Sequence, residues 1–120
     1  MKRTFIIAEI GPNHNGDIEI AKSMVKDLSK IGVDAIKFQL AIPEQVYSDD
    51  AFKADYQKKT EKSDSPLQMA NRHRLSFEEH KILKNCCDQL NVSYLCTAFD
   101  IESLKYIDQN LNVPIFKISS

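Results

Sequence analysis

Two lysines stand where a folded chain does not ordinarily place a charge. Lys37 lies in the run VDAIKFQL and Lys117 in PIFKIS, each among large apolar residues. A third charged group, Glu9, closes the apolar run TFIIAEI. Alternate residues of a strand share a face. Ile36, Phe38 and Leu40 would therefore occupy one face, and Ala35, Lys37 and Gln39 the other. An ammonium pushed into a strand interior is costly unless it meets an opposite charge or a ligand. Two lysines and one carboxylate at matching places point to a small anionic ligand. The alternative is that each lysine snorkels from a sheet edge. Thr97, near the end of VSYLCTAF, adds a hydroxyl at the same level.

These groups need a frame to hold them, and the pattern around them supplies one. Residues 4–10 read as a first strand, followed by a turn-rich loop from Gly11 to Gly16. Ile18, Ala21, Met24, Val25, Leu28 and Ile31 recur at helical spacing, with Asp17 placed to cap the helix and Gly32 to stop it. VDAIKFQL is a second strand. Ser76 and Glu79 form a capping box that opens a helix through Ile82, Leu83, Cys86, Cys87 and Leu90. VSYLCTAF is a third strand. Asp100 caps a helix carrying Leu104, Ile107 and Leu111, and PIFKIS is a fourth strand. The order βαβαβαβ predicts an α/β fold, a parallel sheet covered by helices. In such folds ligands bind at the C-terminal ends of the strands, where Glu9, Lys37, Gln39, Thr97 and Lys117 fall. The polar stretch 41–75 is longer than such a connection needs. It reads as a solvated irregular loop, the alternative being a lid, with a short helical piece around 50–58.

Composition narrows the function classes. The chain has 120 residues, 42% of them hydrophobic, and net charge −1. No basic face stands out, which argues against nucleic acid as the main partner. No apolar run approaches the ~20 residues of a membrane span, so no membrane association is expected and the cytoplasm is the default location. Cys86, Cys87 and Cys96 have no metal-ligand spacing and make a poor disulfide framework, so they read as buried free thiols. The GPNHNG loop lacks the spacings of a phosphate loop, so its glycines serve a tight turn. Asn13 and His14 either face the site or cap that loop. The sequon at Asn91 is one by letter only.

Four stretches taken together, IIAEIGPNHNGD, DAIKFQ, YLCTAFD and PIFKISS, resemble the sialic acid synthase family in order and spacing. SDSPLQM, after DYQKK, is similar to the neuraminate and legionaminate branches. The resemblance covers essentially the whole chain. It implies the first half of a TIM (β/α)8 barrel that condenses phosphoenolpyruvate with an N-acetylmannosamine-type sugar. It further implies that Glu9 holds the sugar and handles protons, and that Gln39 touches the sugar. By the same resemblance Lys37 and Lys117 bind the carboxylate and phosphate of phosphoenolpyruvate, with Thr97 and Ser120 adding hydrogen bonds. The family's divalent metal, manganese or magnesium, would be held by histidines outside this chain, and the complete enzyme would be a homodimer. Departures occur at Ala98, Ser119 and Leu40, where the family commonly has Pro, Gly or Pro, and Thr or Ser. A full barrel takes ~250 residues. The chain is therefore expected to be the N-terminal portion of a synthase, without the rest of the barrel or the C-terminal antifreeze-like domain, and to be inactive and prone to associate on its own. Two rival readings are a Schiff-base pyruvate aldolase using Lys37 or Lys117, and a half-barrel fragment without catalysis.

Overall fold

The computed structural model describes residues 2–48 and 66–120. Strand β1 (Ile7–Glu9) leads through the Gly11–Gly16 turn into helix α1 (Ile18–Ile31). The Asp17 carboxylate accepts hydrogen bonds from the N–H groups of Glu19 and Ile20, and Gly32 ends the helix at φ 90°. That left-handed conformation suits glycine, and it lets the Gly32 N–H reach the Leu28 and Ser29 carbonyls. Strand β2 (Ala35–Leu40) follows, then the short helices α2 (Pro43–Val46) and α3 (Pro66–His73). Helix α4 (Phe77–Gln89) begins at the expected capping box, with both the Ser76 and Glu79 side chains engaged. Strand β3 (Ser93–Ala98) and helix α5 (Ile101–Asn110), capped by Asp100, complete the elements.

The strands form one parallel sheet in the order β1-β2-β3. Glu9 pairs with Lys37 and Lys37 with Leu95, while Gln39 pairs with Thr97. Ile36, Phe38 and Leu40 are buried under the helices together with Tyr94 and Cys96, as the alternation predicts. Phe38 stacks on Tyr94 at 5.3 Å and meets His80 edge-on at 6.1 Å. Val25 from α1, Leu83 and Cys87 from α4 and Ile107 from α5 close the core. Burial pushes the Cys87 and Cys96 thiols up to about 12, and all three cysteines are free; Cys87 and Cys96 are buried as expected, whereas Cys86 is only half-buried.

Three expectations change. The first strand is shorter than 4–10, because Gly11, at φ 53°, turns the chain away. Its pairing still extends by single hydrogen bonds, from Ala35 N–H to the Ile6 carbonyl and from Ile10 N–H to the Lys37 carbonyl. The fourth strand over 114–119 reduces to one parallel bridge between Thr97 and Lys117. Pro114 offers no N–H to a ladder, and among the described residues that segment has a strand on one side only. The stretch 41–75 is less irregular than its polarity suggests, since α2 and α3 lie within it. The helical piece around 50–58 falls outside the described residues.

The α2–α3 pair is tied to the frame by side chains. Asn71 donates to Glu44 at 2.9 Å, joining the two helices. Asp100 accepts from Ile42 N–H at 2.7 Å while it caps α5. Gln45 reaches Glu102 at 2.8 Å. These links hold both helices over the C-terminal ends of the strands.

Candidate active site

At those strand ends Glu9 and Lys37, neighbours in the sheet register, form an ion pair. The Lys37 side chain is 19% exposed and that of Glu9 43%. The Lys37 side chain is therefore mostly enclosed and, among the described residues, has one carboxylate as its ion-pair partner. Gln39 lies one step further along β2. The chain then turns directly over this pair. A Cβ placed on Gly11 would sit 3.2 Å from a Glu9 carboxylate oxygen and 3.6 Å from the Gln39 amide nitrogen. Gly11 thus leaves room for both side chains, a use beyond the tight turn expected of it.

The next row of the sheet carries Gln39, Thr97 and, through the single bridge, Lys117. Thr97 is buried, whereas Lys117 is exposed and its ammonium donates to the Ile118 carbonyl. Ser120 is exposed. The structure therefore gathers Glu9, Lys37 and Gln39 closely and aligns Thr97 and Lys117 beside them. It does not bring Ser120 into contact with the group.

The two loop candidates, Asn13 and His14, are separated by the structure. Asn13 caps, donating to the Ile10 carbonyl at 2.8 Å. His14 is buried, with Nδ1 accepting the Gly16 N–H at 3.0 Å. Burial, the largest influence, lowers its pKa; Glu79 opposes that shift and His73 adds to it. A cavity of about 520 Å3 lies against His14, Gly11 and Gln39 and is roofed by α2 and α3. Periodicity gave no hint of this roof, because α2 and α3 are short and sit in a polar stretch.

Gly16 fixes where α3 ends. Its φ is +74°, and a Cβ there would come within 2.2 Å of the Arg72 carbonyl oxygen. Gly16→Ala is expected to cost at least about 2 kcal/mol, combining a left-handed non-glycine residue with displacement of that carbonyl. Urea denaturation measures this, and a variant within about 0.5 kcal/mol of the parent would contradict it.

His80 lies beneath the site with its Nδ1 2.7 Å from the Tyr94 hydroxyl, and the Gln39 backbone beside its ring favours the protonated form. Burial, helped by His14, pushes its pKa from 6.5 to about 3. The native state thus refuses a proton that the unfolded chain accepts between these values. Stability is expected to fall as pH drops through that window, by about 1.4 kcal/mol per unit for each such group, with no contribution above it. His14, shifted the same way, adds to the slope. Unfolding midpoints at pH 7 and pH 5 test this: the parent should weaken and His80→Gln should weaken less. Equal slopes would contradict the assignment.

Comparison with known proteins places the chain in a family. The profile described as the NeuB family matches residues 24–120. The chain belongs to the NeuB family. It is 41% identical over 121 residues to the N,N'-diacetyllegionaminic acid synthase of Campylobacter jejuni, covering 100% of this chain and 36% of that protein. It is 30% identical to the N-acetylneuraminate-9-phosphate synthase of Mus musculus, covering 97% of this chain and 32% of that protein. The N-acetylneuraminic acid synthetase of Leptospira borgpetersenii, solved in complex with citrate, superimposes with a TM-score of 0.79 at 26% identity. That match covers 98% of this chain and 36% of the other. This NeuB-family chain thus spans about a third of the length of the curated relatives it matches. Its alternating parallel strands and helices are those of the first half of a (β/α)8 barrel.

Proposed function

We propose that this chain is the N-terminal portion of the barrel of a sialic acid synthase. The reaction condenses phosphoenolpyruvate with an N-acetylmannosamine-type sugar, giving a nine-carbon 2-keto sugar acid and phosphate. The observation that carries the reading is the Glu9–Lys37 pair at the strand ends of a NeuB-family fold, with Gln39 beside it.

The chemistry suits these groups. Carbon 3 of phosphoenolpyruvate attacks the sugar aldehyde, water adds to the oxocarbenium carbon, and the C–O bond to phosphate breaks. Lys37 is a preplaced point charge for the carboxylate or phosphate, and an arriving anion would compete with Glu9 for it. Lys117 would serve likewise once released from the Ile118 carbonyl, with Thr97 and Ser120 as hydrogen-bond donors. Glu9 and Gln39 would face the sugar, and Glu9 can take up or give a proton there.

Among the described residues no three His, Cys, Asp or Glu side chains converge to hold a metal ion. These residues do not fit the family's manganese or magnesium, and the proposal leaves its ligands to histidines of the complete enzyme. No helix among the described residues is long and apolar enough to cross a membrane, and a cytoplasmic location is part of the proposal, as is a homodimer for the complete enzyme.

Phosphate release tests the reading, measured on the protein as its gene encodes it with phosphoenolpyruvate, N-acetylmannosamine and manganese. Release that requires both substrates supports it. Release independent of any sugar, or none with the mannosamine sugars, overturns it.

A further inference from the structure

Two strand ends meet at one carboxylate. Asp100 follows β3 and opens α5, where its Oδ1 accepts the Ser103 N–H at 2.7 Å. That bond is an ordinary helix cap. The other oxygen does what the cap does not require. Oδ2 accepts the Ile42 N–H at 2.7 Å, from the segment that leaves β2, 58 residues away in sequence. It also accepts the Ser103 hydroxyl at 2.7 Å. Hydrogen bonds to a carboxylate are stronger and more closely oriented than neutral ones.

The segment held in this way forms a wall beside the site. Gln39, Ala41, Pro43 and Val46 all line the cavity, and so does Phe99, the residue before Asp100. Leu40 is fixed by the sheet and by the Phe99 N–H, which donates to its carbonyl at 3.0 Å. Beyond Leu40 the ladder ends. Helix α2 has only four residues, and its N-cap residue, Ile42, has no side chain that can cap it. So short a helix does not hold its own direction in water. Its start is set by the Ile42–Asp100 bond. The Gln45–Glu102 contact repeats the tie between α2 and α5, there between exposed side chains.

We propose that Asp100 is a positioning residue of the strand-end site: by holding the Ile42 N–H it sets the direction in which the chain leaves β2, and so keeps α2 over the strand ends beside Gln39. Asp100 touches no substrate in this role; it acts through Ile42. The inference rests on the proposed function, since it assumes that a sugar meets Gln39 under that wall. Lys37 lies before the tie and is held by the sheet on both sides. The sugar should therefore feel the loss of Asp100 more than phosphoenolpyruvate does.

Asp100→Asn and Asp100→Ser test this in the protein as encoded. Asparagine and serine both cap helices well, so each leaves α5 an N-cap. Neither keeps both bonds: serine is too short to reach Ile42, and asparagine has one acceptor oxygen where the carboxylate had two. Each variant is expected to raise the KM of N-acetylmannosamine at least roughly tenfold, as a displaced wall does, and that of phosphoenolpyruvate by less than about threefold. Hydrogen exchange read by mass spectrometry should quicken at least about tenfold in a peptide covering residues 39–46, while the α5 peptide stays as slow as in the parent. A merely structural role would lower the urea midpoint and leave both KM values of the folded protein alone. Unchanged KM values, an equal rise for the two substrates, or exchange over 39–46 as slow as the parent's each overturn the inference and leave the synthase reading standing. If the parent releases no phosphate with the mannosamine sugars, the synthase reading falls and the inference with it.

Discussion

On the proposed function, Lys37→Met, assayed in the protein as encoded, is expected to lower kcat/KM for phosphoenolpyruvate by at least about 100-fold. That factor corresponds to about 2.7 kcal/mol, within the usual cost of truncating one partner of an enclosed charge-assisted contact. The size of the effect follows from position. Lys37 comes from the middle strand of the sheet, its side chain is 19% exposed, and its charge is balanced by Glu9 alone among the described residues. Methionine keeps the length and the apolar stem, so the helix-covered face of β2 is untouched. Steady-state phosphate release at varied phosphoenolpyruvate checks it, and the loss should appear without a change in folding. A variant within threefold of the parent would remove Lys37 from the site. Lys117, exposed and donating to the Ile118 carbonyl, should respond in the same direction.

Phe38→Ala carries the largest cost in stability. Phe38 is fully buried between Tyr94 and His80, on the face of β2 opposite Lys37. Truncating a core phenylalanine typically costs 3–5 kcal/mol, roughly, in lost transfer energy and residual cavity. Stabilities of whole domains are about 5–15 kcal/mol, so the variant is expected to lose a large share of its stability and to unfold at a clearly lower urea concentration. A urea midpoint close to the parent's would show that the aromatic cluster is not the centre of the core. Because Lys37 and Gln39 are its immediate neighbours in sequence, loosening Phe38 should also blur the site.

Much of this frame can be read from the residues, for physical reasons that differ from place to place. Helices α1 and α4 declare their ends because Asp17, Gly32, Ser76 and Glu79 satisfy backbone groups by local hydrogen bonds, which sequence spacing encodes. The face of β2 is legible because alternation is strict and one face is entirely apolar. The Glu9–Lys37 pairing is legible only as a tendency: both residues sit near strand ends, but the sheet register decides that they are partners. Other features depend on long-range contacts. Helices α2 and α3 are too short to show a period, and they are held by Asn71–Glu44 and by Asp100 rather than by their own propensity. PIFKIS has strand composition, yet its pairing reduces to one bridge with Thr97. His80 sits at a helical position that any apolar residue could fill, and only its contact with Tyr94 shows why a histidine is tolerated there. The roles of His14 and Gly16 emerge from where α3 ends.

The central claim is that the strand ends bearing Glu9, Lys37, Gln39, Thr97 and Lys117 form the phosphoenolpyruvate site of a synthase barrel. Amide NMR of the nitrogen-15-labelled chain, titrated with phosphoenolpyruvate and in parallel with sulfate, tests it most directly. Saturable shifts concentrated at Glu9, Lys37, Gln39 and Thr97, larger than those from sulfate at the same concentration, are expected. Shifts scattered over surface lysines, or identical for the two anions, would contradict it.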